Sequence, residues 1–312
     1  MSIKLKPIDQ QVIVITGASS GIGLATAEAA AKEGAKLVLA ARSGQALEEI
    51  VQRLNATGCE AIAVTADVSE RQAMEKVAQA AVSRFGRIDT WINDAGLSIY
   101  GRLDEVSEAD SRRLFDINFW GVVNGSLAAL PHLRQEGGAL INVGSEVSEA
   151  VVPLQGMYSA SKHAVKGFTD ALRVEIEEVD EAPVSITLIQ PTAVDTPFPQ
   201  HARNYMDQEP KLPTPMIDPA DVADAILGAA RKPERDVKVG MMAKMNTTMS
   251  KIAPSLGDKM AAKQADRQQR DELPRDPEGT LYKPSEDGRT HGEGSKSHTE
   301  QEAELATPGR RS

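Results

Sequence analysis

Short apolar runs alternate with longer amphipathic stretches along the first 240 residues of the chain. The runs are rich in β-branched residues, as buried strands are. They occupy residues 11–16, 36–41, 60–65, 88–93, 139–143, 184–190 and 236–239. Strands that alternate with helices predict a doubly wound α/β domain, a parallel sheet with helices on both faces. Ligands of such sheets bind outside the carboxyl ends of the strands.

A glycine-rich turn follows the first of these runs. Thr16 ends the apolar run, the sequence Gly17-Ala18-Ser19-Ser20-Gly21-Ile22-Gly23 comes next, and an alanine-rich helical stretch begins after it. Glycines allow the backbone to approach a pyrophosphate closely, and the helix amino terminus offers unpaired N–H groups. A strand, a glycine turn and a helix in this order predict a dinucleotide site.

Tyr158 and Lys162 lie four residues apart in a predicted helix, so both side chains project from one face. A cation beside a phenol lowers the pKa of the phenol toward neutrality, where proton transfer is efficient. Ser145 follows the apolar run 139–143, which places its hydroxyl at a strand's carboxyl end. Exposed tyrosine and lysine residues one turn apart are common, so this pair gains its meaning from the other motifs.

Together these motifs resemble the classical short-chain dehydrogenase/reductase family over roughly residues 9 to 240. The resemblance implies a Rossmann-like fold and the catalytic set Asn118, Ser145, Tyr158 and Lys162. It implies a cofactor site formed by Gly17, Ser19, Ser20, Gly21, Ile22, Gly23, Arg42, Asp67, Val68, Asn93, Ala95, Gly96, Tyr158, Lys162, Pro191, Val194 and Thr196. Two positions depart from the family pattern. Asp94 stands where the family usually has an asparagine, and Thr192 stands where it usually has a glycine.

The end of the second strand bears on the choice of cofactor. An acidic residue there would bind a free ribose 2′-hydroxyl, but Ala41 stands at that position and Arg42 follows it. A guanidinium pairs well with a 2′-phosphate, so NADP(H) is expected rather than NAD(H). The alternative is that Arg42 is a solvated loop residue.

Composition limits the remaining possibilities. The chain has 312 residues and a net charge of −10, which argues against general nucleic-acid binding. Its one cysteine, Cys59, excludes an internal disulfide, and no apolar run approaches the ~20 residues that span a bilayer. We therefore expect a cytoplasmic protein. The five histidines are scattered and predict surface positions rather than a metal site; they are His132, His163, His201, His291 and His298.

The character of the sequence changes after residue 240. Residues 1–240 are predicted to form the Rossmann-like domain, and residues 241–262 an amphipathic segment. Its apolar face, the methionine stripe, consists of Met242, Met245, Met249, Ile252, Leu256 and Met260. That stripe suits packing on the domain or on a second subunit, and alternatively contact with a membrane surface. Residues 263–312 are highly charged and poor in large apolar groups, which predicts disorder.

The sequence thus predicts an NADP(H)-dependent enzyme that interconverts a small-molecule carbonyl and an alcohol, and the family suggests a homo-oligomer. Residues 151–154 are candidates for an apolar substrate pocket, and residues 197–215 for a lid. Glu146 and Glu149 are interpreted as solvated loop carboxylates. The alternative function is a catalytically idle NADPH-binding sensor or scaffold.

Overall fold

The computed structural model describes residues 3–285 and 288–292. The strands are β1 (Val12–Thr16), β2 (Lys36–Ala41), β3 (Glu60–Thr65), β4 (Thr90–Asn93), β5 (Ile99–Tyr100), β6 (Gly138–Val143), β7 (Val184–Pro191), β8 (Arg203–Asn204) and β9 (Asp236–Val239). The α-helices are α1 (Gly21–Lys32), α2 (Gly44–Ala56), α3 (Arg71–Phe85), α4 (Glu108–Phe115), α5 (Gly121–Glu136), α6 (Gly156–Arg173), α7 (Phe198–His201), α8 (Pro219–Arg231), α9 (Met241–Ile252) and α10 (Pro254–Ala262).

Among the described residues, seven parallel strands form the main sheet in the order β3-β2-β1-β4-β6-β7-β9. Strand β1 is buried along its whole length and pairs with β2 on one side and β4 on the other. The strand order reverses at this point, and such a reversal opens a crevice at the carboxyl ends of the strands. The doubly wound fold predicted from the sequence is confirmed.

Each face of the sheet carries its own apolar layer. Leu24 of α1, Leu47 of α2 and Val222 of α8 pack on one face. Met74 of α3 and Leu133 of α5 pack on the other, together with residues of α6. Helices on both faces explain why the strand sequences are almost continuously apolar, since neither side of the sheet meets water.

The described residues beyond α10, 263–285 and 288–292, lie against the domain, whereas composition predicts disorder from residue 263 onward. Leu281 and Gln268 are fully buried. The Gln268 amide donates to the Pro153 carbonyl at 2.7 Å and accepts from Gln155 at 2.6 Å. A few well-spaced anchors and backbone hydrogen bonds therefore order a segment that has little apolar surface. Residues 286–287 and 293–312 lie outside the described residues, and the division into domains stays a prediction.

None of the helices in the described part of the chain is both long and apolar enough to cross a membrane.

Candidate active site

Ser145, Tyr158 and Lys162 meet at the carboxyl end of the sheet. Ser145 follows β6, while Tyr158 and Lys162 lie one turn apart near the start of α6. The Ser145 hydroxyl is hydrogen-bonded to the Tyr158 phenol. The Lys162 ammonium donates to the Val143 carbonyl at 2.8 Å, and its Nζ lies 5.8 Å from the centre of the Tyr158 ring. The structure thus joins three residues that the sequence predicts to act together.

Asp94 introduces a carboxylate beside this group. Burial raises the pKa of Asp94 to about 7, while the Lys162 charge and the Gly23 N–H oppose the rise. Burial also lowers the pKa of Lys162 to about 8, and the Asp94 charge opposes that change. The replacement of asparagine at this position therefore couples a second titrating group to the lysine.

The pKa of Tyr158 differs from expectation. Burial raises it, the hydrogen bond with Ser145 lowers it, and the negative charges of Glu146 and Asp94 raise it further. The sequence predicts a lowering by Lys162, but in the structure the ammonium is directed to the Val143 carbonyl and burial dominates. At neutral pH the phenol accordingly keeps its proton.

Asn118 lies behind the cavity. It belongs to a short π-helical stretch, Asp116–Trp120, between α4 and α5, and such bulges are frequent near functional sites. Its amide donates to the Leu97 carbonyl and accepts from the Leu97 N–H, both at 2.9 Å. It also donates to Ser161 at 3.1 Å. Asn118 thereby fixes the backbone next to Gly96, on the side where Lys162 approaches.

The glycine turn forms one wall of a cavity of about 230 Å³. Gly17 has φ +71°, and a Cβ there would lie 2.8 Å from the Ala95 backbone. A Cβ on Gly23 would lie 2.4 Å from the Gly17 carbonyl oxygen. Close packing inside the turn therefore requires glycine at both positions. Gly17 and Gly21 line the cavity beside the start of α1, which fits the close approach of a dinucleotide pyrophosphate.

Arg42 and Asp67 lie at the far end of the cavity from Tyr158. The Asp67 carboxylate accepts from Arg113 at 2.6 Å and from the Ser69 hydroxyl at 2.7 Å. Burial alone would raise the pKa of Asp67, but these hydrogen bonds and the Arg113 charge hold it below its usual value. Sequence reasoning missed Arg113, because an arginine on an amphipathic helix gives no local signal of its partner 46 residues away.

Most of the predicted site residues line this one cavity. They are Gly17, Ser19, Ser20, Gly21, Ile22, Arg42, Asp67, Val68, Ala95, Gly96, Ser145, Tyr158, Lys162, Pro191, Val194 and Thr196. Gly23, Asn93 and Asn118 do not line it. The Asn93 amide lies below the cavity, where it donates to Asn142 at 2.9 Å and accepts from Trp91 at 2.8 Å. Asn93 therefore holds β4 to β6.

A second cavity of about 140 Å³ adjoins the first, and the two share the lining residues Glu146, Val147, Val152, Thr192, Ala193 and Pro213. Its walls are mainly apolar and come from the 150–152 loop, the 213–215 loop and helices α9 and α10. The apolar lining side chains are Val147, Ala150, Val151, Val152, Ala193, Pro213, Pro215, Met242, Met249, Pro254, Met260 and Ala261. Part of the predicted methionine stripe therefore faces this cavity, whereas Met245, Ile252 and Leu256 are exposed.

The two glutamates after Ser145 are not solvated loop residues, and that interpretation is wrong. Glu146 is partly buried, accepts from Asn246 at 3.0 Å and is hydrogen-bonded to Thr192. The Glu149 side chain is only 6 % exposed and pairs with Lys238 at 3.3 Å and with Lys251. Both carboxylates hold α9 to the site, and Thr192, the second departure from the family pattern, takes part.

His201 also differs from the surface position predicted for it. It is buried, lines the larger cavity and lies 2.8 Å from the Ser285 hydroxyl. His298 lies outside the described residues. No group of three or more potential metal-binding side chains occurs in the part of the chain that the structure describes.

Comparisons with known proteins agree with the fold. The uncharacterized oxidoreductase YxnA of Bacillus subtilis (strain 168) is 45 % identical over 285 residues, which cover 90 % of this chain and 80 % of that protein. A short chain dehydrogenase/reductase from Burkholderia phymatum, solved in complex with NAD, is 28 % identical with a TM-score of 0.73, covering 86 % of this chain and 99 % of that one.

An alcohol dehydrogenase from the archaeon Thermococcus sibiricus, solved with 5-hydroxy-NADP, is 31 % identical with a TM-score of 0.63. The similarity covers 73 % of this chain and 94 % of that chain. Residues 11–207 match the sequence profile described as short chain dehydrogenase. This match spans more than half of the protein and includes the glycine turn, Ser145, Tyr158 and Lys162, so the chain belongs to the short chain dehydrogenase family of oxidoreductases.

Proposed function

We propose that this protein is an NADP(H)-dependent oxidoreductase that interconverts a carbonyl group and an alcohol. The observation that carries the proposal is the convergence of Ser145, Tyr158 and Lys162 on the cavity that the glycine turn lines. A proton donor, a hydrogen-bond donor for an oxyanion and a backbone cradle for phosphates then share one space.

Each residue has a role that follows from its position. Bound NADPH would supply the hydride, and the protein would orient the carbonyl that receives it. Tyr158 would donate its proton to the carbonyl oxygen during reduction, and its raised pKa keeps the phenol protonated at neutral pH. Ser145 would hydrogen-bond the same oxygen as negative charge develops. Lys162 would hold the nicotinamide ribose.

The preference for NADP(H) rests on Arg42, which lines the cavity, and on the absence of a carboxylate at Ala41. A guanidinium at this place can bind a 2′-phosphate by charge-assisted hydrogen bonds. The solved relatives contain one cofactor of each kind, so the proposal depends on the residues of this chain.

The adjoining cavity supports a small-molecule substrate with an apolar portion. Methionine and valine side chains line its walls, and Glu146 and Thr192 lie where it meets the catalytic residues. A carbonyl at Tyr158 would then leave the rest of the substrate directed toward α9 and α10. We further propose that the protein acts in the cytoplasm, as its composition suggests, and that it forms a homo-oligomer, as the family resemblance implies.

A turnover screen tests the proposed reaction. Wild-type protein, Tyr158→Phe and the matched control Tyr205→Phe are incubated with NADPH and a panel of apolar ketones and aldehydes, and NADPH absorbance is followed. Tyr158→Phe removes the proton donor and should lose at least ~100-fold in turnover while it still binds NADPH. Tyr205→Phe should retain activity. Tight NADPH binding with no turnover on any compound would instead favour the sensor or scaffold.

Cofactor choice is tested with Arg42→Ala. Loss of hydrogen bonds to a charged group is worth roughly 1.5–3 kcal/mol, so the ratio of NADPH to NADH affinity should fall about 10- to 150-fold. Calorimetric titration of each variant with both cofactors gives this ratio. The ratio is used because any effect of the substitution that is common to both cofactors cancels. An unchanged ratio would remove Arg42 from 2′-phosphate recognition.

A further inference from the structure

The last described part of the chain crosses the phosphate end of the cofactor cavity. We define residues 280–285 and 288–292 as the C-terminal strap. Thr280, Pro284 and Ser285 of the strap line the same cavity as Arg42 and the glycine turn. The strap thus belongs to the wall of the proposed cofactor site, which neither the family motifs nor the composition predicts.

One end of the strap is anchored in the domain. The Leu281 side chain is fully buried in the apolar layer that also contains Leu114 of α4. The Tyr282 hydroxyl donates to Asp110 at 2.8 Å, and Thr280 N–H donates to the His201 carbonyl at 2.9 Å. An apolar anchor with hydrogen bonds on both sides fixes this end of the strap.

The strap satisfies donors that the proposed cofactor would need. Arg42 donates to the Thr280 carbonyl at 2.5 Å and to the Leu281 carbonyl at 3.2 Å. The Gly21 N–H, at the first turn of α1, donates to the Arg289 carbonyl at 2.8 Å. These are the guanidinium proposed for the 2′-phosphate and an N–H of the helix terminus proposed for the pyrophosphate.

Polar contacts hold the outer part of the strap. The Ser43 hydroxyl donates to the Ser285 carbonyl, and His291 lies 3.2 Å from the Asp218 carboxylate. Residues 288–292 are all partly exposed. Polar contacts at a partly exposed site exchange readily with water, so this part can detach at lower cost than the end anchored by Leu281.

We propose that the C-terminal strap is an intramolecular competitor of the cofactor. Its carbonyls occupy the phosphate-binding donors, and cofactor binding displaces its outer part, residues 288–292, from Gly21 and draws the Arg42 side chain away from the Thr280 and Leu281 carbonyls. This inference rests on the proposed NADP(H) site. Only molecules with an open strap bind the cofactor. The apparent dissociation constant is therefore the intrinsic constant divided by the fraction of molecules that are open. Any interaction that holds the strap away would therefore tighten cofactor binding.

Limited proteolysis of the full chain tests the displacement. Trypsin cleaves after Arg289, whose carbonyl oxygen is bound to Gly21 in the closed arrangement. Mass spectrometry monitors cleavage at this bond. Cleavage should become faster when NADPH is added, because the displaced strap can enter the active site of trypsin. Slower cleavage after Arg289 in the presence of NADPH would mean that the strap closes over the cofactor. Either slower cleavage or an unchanged rate would overturn the proposal.

A pair of leucine variants tests the competition. Leu281→Ala removes the buried anchor, whereas Leu273→Ala alters a side chain of the same segment that is 81 % exposed. NADPH titration should show at least ~3-fold tighter apparent binding for Leu281→Ala and no change for Leu273→Ala, since only the first raises the open fraction. Thermal unfolding confirms that each variant is folded.

Equal NADPH affinity of the wild type and Leu281→Ala would overturn the competition and leave the proposed function intact. A lack of NADPH binding to the wild type and to both variants would refute the proposed function, and the inference with it.

Discussion

Asp94→Asn tests how the buried carboxylate affects stability. The carboxylate accepts a hydrogen bond from the Gly23 N–H and interacts with the Lys162 charge. Asparagine has the same shape, and its amide oxygen can still accept the Gly23 N–H, so the substitution removes the charge and little else. The substitution therefore isolates the free-energy cost, to the folded state, of an ionised carboxyl group at this position.

The magnitude follows from the pKa. Burial raises the pKa of Asp94 from 3.8 to about 7. Each pKa unit corresponds to about 1.4 kcal/mol, so the ionised carboxylate costs the folded state about 4 kcal/mol relative to the neutral form. The folded-state pKa lies above the unfolded-state value. The contribution of Asp94 to stability is thus fully present only below about pH 4, and it is lost as the pH rises from about 4 to about 7.

Urea denaturation between pH 5 and pH 8 measures the difference. The free energy of unfolding of Asp94→Asn should exceed that of the wild type by an amount that grows with pH and reaches up to about 4 kcal/mol at pH 8. Asp104→Asn is the matched control, since the Asp104 side chain is 75 % exposed. A difference that is constant with pH would show that Asp94 does not titrate as argued. A less stable Asp94→Asn at pH 8 would show that attraction to Lys162 exceeds the burial cost.

Two further predictions concern the cofactor site. Gly17→Ala should destabilise the protein by more than Gly58→Ala and weaken NADPH binding, as urea denaturation and titration would show. Both glycines have positive φ, but only at Gly17 would the new Cβ meet the backbone, at 2.8 Å from Ala95; equal losses would contradict the close packing. Lys162→Ala should lower both turnover and NADPH affinity, because the ammonium is proposed to serve the ribose as well as Tyr158; a loss of turnover alone would contradict the ribose contact.

The strands and the site motifs could be read from the sequence because their signals are local. The predicted strand at residues 36–41 coincides with β2, and that at 60–65 with β3. A run of β-branched residues or a glycine turn specifies backbone conformation over a few positions, and the parallel sheet then brings all the carboxyl ends to one edge. Ser145, Tyr158 and Lys162 therefore lie together, as their spacing predicts.

Only the tertiary structure decided the electrostatics and the wall of the cavity. Burial raises the pKa of Asp94 and the Lys162 charge opposes that rise. Glu149 pairs with lysines about 90 and 100 residues further along the chain. Arg42 bonds to the Leu281 carbonyl across 239 positions. A backbone carbonyl is the same in every residue, so such a contact leaves no pattern in the sequence. Composition alone predicts disorder for the strap, whereas one buried leucine and a set of backbone hydrogen bonds place it on the cofactor cavity.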